Sequence, residues 1–246
     1  MKNNSTFFTI VLIAAAIVAG VIYQFMLPEY VKDGGILVAV LIALTLMVVT
    51  FTIERLLSLR KAGGRVAAVP FMRDLQARLA NDDIAGAIEA SKKQQGTLGS
   101  VLGAGLRRYQ SLTQMGGSDR KDTEEEIRAA IEEATMLEVP LLERNLVALS
   151  TIASIATLVG LLGTTLGMIR AFAALASSTG APDAVQLSLG ISEALINTAG
   201  GLIAAIIGIV AYNYFTTKVD SFTYNIDEAA ATMVQTLAHK SAMTSR

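Results

Sequence analysis

Glu193 is the residue on which any chemistry would centre, because it is the single charge in an otherwise apolar stretch from about Ala184 to Thr217. An ionisable group inside such a run is costly unless it faces protein, water or a partner. At about 100° per residue, Asn197, Gly200, Ala204, Gly208 and Ala211 fall within about 60° of its meridian, so a face of polar and small residues runs along the same helix. A carboxylic acid in a low-dielectric crevice of that kind is suited to taking up and releasing protons. The competing reading is a carboxyl that only glues helices, through Asn197 or a hydroxyl on a neighbouring helix.

A second polar face lies on the stretch Leu146 to Phe172, where Ser150, Ser154, Thr157 and Thr164 share one arc narrower than a right angle. Gly160, Gly163 and Gly167 occupy an adjoining arc, and small residues at that spacing let another helix backbone approach closely. One side of this helix therefore looks toward protein or water. Between Arg144 and Arg170 it carries no charge, and at 1.5 Å per residue it crosses a hydrocarbon core about 30 Å thick.

These faces need a membrane-spanning scaffold, and the composition supplies one. The hydrophobic fraction is 52% and the mean hydropathy +0.52, with the apolar residues gathered in discrete runs. The fold class expected is an all-α membrane protein, with long helices extending into the cytoplasm. Residues 1–34 hold an N-terminal span at about 7–27 and a short outer loop. A cleaved signal peptide is the alternative for that span, although the run exceeds the usual h-region and lacks a convincing small-x-small cleavage site. Residues 35–57 form a second span, 58–145 a cytoplasmic helical region, 146–217 a transmembrane hairpin and 218–246 a cytoplasmic C-terminal helix or tail.

Lys and Arg are dense between Arg55 and Arg144, and Lys32 and Arg170 are the only basic residues on the outer side of this topology, so both termini are placed in the cytoplasm. Asn81 or Asp82 is expected to cap a helix running to about Gln95. Thr123 and Glu126 fit a capping box. The helix they start is expected to continue into the central span, kinked at Pro140. Some 50 residues of helix would measure roughly 75 Å, so its first half must stand out from the membrane.

Other chemistries are set aside. The chain has no Cys and one His, His239, so no thiol nucleophile, disulfide framework or metal cluster is expected, nor any cofactor. Gly99 to Gly105 lacks a phosphate-binding Lys-Ser/Thr signature, and the chain is not read as an enzyme. Arg107, Arg108 and Tyr109 have no extended basic surroundings and read as a solvated or lipid-headgroup face, not a nucleic-acid site. Tyr212 and Tyr214 fit an interfacial aromatic belt. A secondary transporter is disfavoured by the few spans and the lack of an inverted repeat.

The paired stretches LVGLLGTTLGMIRAF and ISEALINTAGGLIAAIIGIVAYNYF resemble the signature of the MotA/TolQ/ExbB proton channel family, closest to its ExbB/TolQ branch. FTIERLLSLRKAGG and DIAGAIEASKKQQG support the resemblance, which covers roughly Gly35 to Phe215. It implies a pentamer in the bacterial inner membrane, assembled as a ring around a central pore. That pore would hold two copies of an ExbD/TolR-like single-span partner with a protonatable aspartate. Protons are the implied conducted ion, and a TonB- or TolA-like periplasm-spanning effector receives the work.

Carried over by residue, the pore hydroxyls are Thr164 and Thr198 and the pore carboxylate is Glu193. Thr hydroxyls both donate and accept, so they can relay a proton or hold a water. Thr157 and Ile207 stand where relatives commonly have Pro, and Asn197 where they have a small apolar residue. Thr198 lies about 140° from Glu193 on an ideal helix, so both cannot point at one axis. Either Gly200 and Gly201 bend the helix, or Glu193 faces a subunit interface while Thr198 faces the pore. A helical scaffold without conduction, or a MotA-like motility stator given the four-span plan, are the alternative functions.

Overall fold

The computed structural model describes residues 2–115, 120–176 and 183–244, and these are almost wholly helical. The chain divides into two compact units, one of Met1–Arg55 with Asn145–Tyr214, the other of Leu56–Arg144 with Phe215–Arg246. Among the described residues four stretches are long and apolar enough to cross a membrane, within Thr6–Phe25, Ile36–Ala62, Lys121–Ala176 and Ala184–Lys240.

The first unit holds α1 (Lys2–Phe25), the one-turn α2 (Glu29–Lys32), most of α3 (Ile36–Ala62), α8 (Leu146–Ala176) and the first half of α9 (Ala184–Thr244). On α1, Val11, Ala15 and Ala19 recur every fourth residue and are buried, while Ile10, Ile13 and Ile17 stay exposed, as expected of a helix with one face on protein and the rest in lipid. The Phe7 and Phe8 rings lie 6.1 and 5.7 Å from that of Phe51 on α3. Gly35, at φ +70°, makes the turn that starts α3.

The long helix expected to run unbroken into the central span is interrupted. α7 (Arg120–Glu143) passes through Pro140 as a helix and stops at Arg144 and Asn145, and α8 begins at Leu146. The break falls where Asn145 adopts φ +62°, a left-handed conformation that Asn tolerates better than most residues. Its side-chain nitrogen donates to Glu54 at 3.3 Å, and its carbonyl accepts from the Leu149 amide at 3.4 Å. Glu54 in turn takes two hydrogen bonds, at 2.8 and 2.7 Å, from the guanidinium of the buried Arg55.

The second unit is a helical bundle of α4 (Ala68–Ala80), α5 (Ile84–Gln94), α6 (Thr97–Gln114), α7 and the second half of α9. Phe71, Leu75 and Leu79 of α4, Val101, Leu102 and Leu106 of α6, Ile127 and Ile131 of α7 and Ile226, Met233 and Leu237 of α9 form one core. Within each set neighbouring members lie one, four or seven positions apart and so share one face, which is why these charge-bearing segments fold as amphipathic helices.

Two local starts depart from expectation. Asp83, not Asn81 or Asp82, caps α5, its carboxylate accepting from the Gly86 amide at 2.8 Å, while Asp82 takes φ +63° in the preceding turn. α7 is already helical at Arg120, so Thr123 sits inside it, buried, and Glu126 pairs with Arg108 instead of closing a capping box. The side chain of Gln94 is buried between α5 and α6. Its amide nitrogen donates to the carbonyls of Gly63 and Val66 at 3.0 and 3.3 Å, and its oxygen accepts from the amides of Gly96 and Gly99 at 2.6 and 3.1 Å. Two of the N–H groups left over at the start of α6 are thereby satisfied.

Candidate functional site

α8 and α9 pack antiparallel along a seam of glycine and alanine. A Cβ on Gly163 would lie 2.2 Å from Cβ of Asn197, one on Gly167 2.6 Å from the Gly190 carbonyl, and one on Gly201 2.7 Å from the Ala156 carbonyl. Gly160 faces the backbones of Asn197, Thr198 and Gly201, where an added Cβ would meet atoms 3.1 to 3.5 Å away. Gly200 points instead toward Leu41 of α3, at 3.2 Å. The glycines singled out from spacing thus fall into two groups, with Gly160, Gly163, Gly167 and Gly201 closing the hairpin and Gly200 admitting α3.

Asn197 is fully buried at this seam. Its side-chain nitrogen donates to the Gly34 carbonyl at 2.8 Å and to the Glu193 carbonyl at 2.9 Å, which ties α9 to the turn before α3. Two carbonyl partners fix the amide orientation and leave Oδ1 as a buried acceptor with no hydrogen-bond partner among the described residues. One turn away, the Glu193 side chain is 8% exposed and its two oxygens accept from one guanidinium nitrogen of Arg170, at the far end of α8. A Cβ on Gly35 would lie 3.3 Å from the Glu193 carboxylate. Within the chain Glu193 is therefore turned neither to lipid nor to an outer face. It is enclosed by α8, α9 and the Gly34–Gly35 turn.

The threonines behave differently. Thr198 is half-buried, its hydroxyl donating over a long 3.4 Å to the Gly160 carbonyl. Thr164, also half-buried, donates to the Leu161 carbonyl at 2.6 Å, and the exposed Thr157 to the Ala153 carbonyl at 3.2 Å. Since Gly163 meets Asn197, the adjacent Thr164 and Thr198 stand at the same level of the hairpin. Ser150 and Ser154 back-bond in the same way, to Val147 and Ser150. The hydroxyl protons of Ser150, Ser154, Thr157 and Thr164 are thus held by their own helix and that of Thr198 by the facing one, while the oxygens keep lone pairs free to accept. The stripe lies on the surface of the unit, among exposed Leu158, Leu161 and Leu162.

The geometry brings Glu193, Asn197 and the hairpin glycines together, and aligns Thr164 with Thr198 in depth. It also adds Arg170 and the Gly34–Gly35 turn, which sequence reasoning missed. Spacing alone did not pair Arg170 with Glu193, because the register of the two helices is fixed by glycine contacts that only the structure shows.

Fold and site together define a polytopic helical membrane protein with a largely buried polar cluster at one end of a close-packed hairpin and a line of hydroxyls on its surface. Residues 93–228 match the family model of the MotA/TolQ/ExbB proton channel family, which covers both helices of the hairpin. The chain belongs to that family, on its ExbB/TolQ branch. An ExbB-like biopolymer transport protein of Synechocystis is 44% identical over 94 residues, covering 38% of this chain and 45% of its own. The Tol-Pal system protein TolQ of Pseudomonas aeruginosa is 37% identical over 118 residues, 48% of this chain and 51% of its own. The biopolymer transport protein ExbB of Salmonella typhimurium is 39% identical over 83 residues, 34% of each chain. The chain spans about half or less of the length of these relatives.

Proposed function

We propose that this chain is a proton-channel stator subunit of an inner-membrane motor complex, which couples proton-motive force to mechanical work on a periplasmic or outer-membrane partner. The match of a proton channel family model to both helices that carry the polar faces is the observation that supports it. In this reading five copies form a ring, and two copies of an ExbD/TolR-like single-span partner occupy the pore. The surface hydroxyls of Thr157 and Thr164, with Thr198 at the same level, face the partner's carboxylate and accept hydrogen bonds from it or from water. Asn197 Oδ1 adds a buried acceptor beside this path, and Glu193 supplies the chain's own carboxylate. Both termini lie on the cytoplasmic side, and protons are the only species conducted, with no cofactor.

A second reading, a non-conducting scaffold, draws on one observation, the closed ion pair of Arg170 and Glu193, which suits a structural clasp. Proton uptake by vesicles holding the chain and its partner separates the two. Conduction predicts lower uptake in Thr164→Ala, Thr198→Ala and Glu193→Gln, whereas unaltered uptake in all three would remove the channel.

A further inference from the structure

We propose that Arg170 is the positioning residue for Glu193, a latch that holds this carboxylate at the end of the hairpin. The inference deepens the conduction reading, and rests on it for what the carboxylate does. Among the described residues three groups adjoin Glu193. The Asn197 side chain holds its carbonyl from within α9, and the Gly34–Gly35 turn lies against its carboxylate. Arg170 alone among the described residues meets its charge, one guanidinium nitrogen serving both oxygens. Among the described residues neither partner makes a second ion pair.

The two sides of the pair differ in exposure, which gives the latch its direction. The Glu193 side chain is 8% exposed and that of Arg170 64% exposed. Arg170 therefore reaches in from the surface on a long, solvated stem and can swing away without disturbing the packing beneath it. Glu193 instead is nearly enclosed, its carboxylate lying against Gly35. A carboxylate this buried, deprived of its cation, is left uncompensated, and removing one partner of such a pair is far more disruptive than removing both. The latch therefore opens by movement of the arginine.

The test pairs two readouts on the full chain, the thermal midpoint of the solubilised protein and proton uptake by vesicles that also hold its ExbD/TolR-type partner. Arg170→Gln should lower the midpoint and reduce uptake to the level of Glu193→Gln. Arg170→Lys, which keeps a cation on a long stem, should recover most of both. Arg170→Gln combined with Glu193→Gln should regain the midpoint, since no buried charge is left without its partner, while uptake stays low. Wild-type values for Arg170→Gln in both readouts would overturn the latch, as would a midpoint loss that persists in the double variant, or an Arg170→Lys no better than Arg170→Gln. Normal uptake in Glu193→Gln would instead sink the conduction reading, and the midpoints would still decide the latch.

Discussion

At Gly163 one methyl group decides whether the hairpin closes, because its Cβ would fall 2.2 Å from Cβ of Asn197, on a helix whose backbone cannot yield locally. Gly163→Ala is expected to lower the thermal midpoint by several degrees, as overpacking costs typically about 1–3 kcal/mol. Gly20 is the control, since a Cβ there meets nothing within 4 Å, and Gly20→Ala should leave the midpoint unchanged or raise it. Equal behaviour of the two variants in one melting series would show that the seam is not close-packed. At Asp83, loss of the carboxylate that accepts from the Gly86 amide should cost about 1 kcal/mol, the usual worth of an N-cap, read as a shift in the midpoint of the helical bundle.

Among the elements, the informative junctions are those where one helix stops and the next begins. Gln94 joins the 63–66 turn to the start of α6 with four hydrogen bonds, so Gln94→Ala strands buried backbone groups on both sides. A loss of about 3 kcal/mol is expected, with faster hydrogen exchange at the Gly96 and Gly99 amides as its local signature. Between α7 and α8, Asn145→Ala combines a left-handed strain of about 1–2 kcal/mol with loss of the contact to Glu54, whereas Asn145→Gly suffers only the second. The glycine variant should therefore melt higher than the alanine variant.

This junction also marks where sequence reading gave out. Pro140 drew attention because it removes a donor, yet the helix runs through it. Asn145 drew none, because a single polar residue in the left-handed region leaves no trace in hydrophobic periodicity. Asp83 was missed by one residue for a similar reason, as Asn81, Asp82 and Asp83 are all competent caps and only the turn geometry chooses between them. The spans themselves were legible, since long uncharged runs have few alternatives to crossing a membrane. The pairing of Arg170 with Glu193, 23 residues apart, needed the helix register that the glycine contacts fix.

For the whole molecule, the arrangement of polar groups limits what one chain can do alone. Its carboxylate is enclosed within the subunit, while the hydroxyls of Ser154 and Thr157 lie on a surface otherwise rich in exposed leucine and isoleucine. In lipid such hydroxyls have only their own helix to bond to, whereas a protein or a column of water offers further hydrogen-bond partners. In the proposed channel, copies of the chain come together around a partner helix, with this stripe turned inward. Native mass spectrometry of the solubilised assembly, alone and co-expressed with the ExbD/TolR-type single-span partner, tests that arrangement most directly. Five copies that take up two partner chains are the predicted result. A monomer or dimer that ignores the partner would contradict the account, because no pore would remain for the hydroxyl stripe to line.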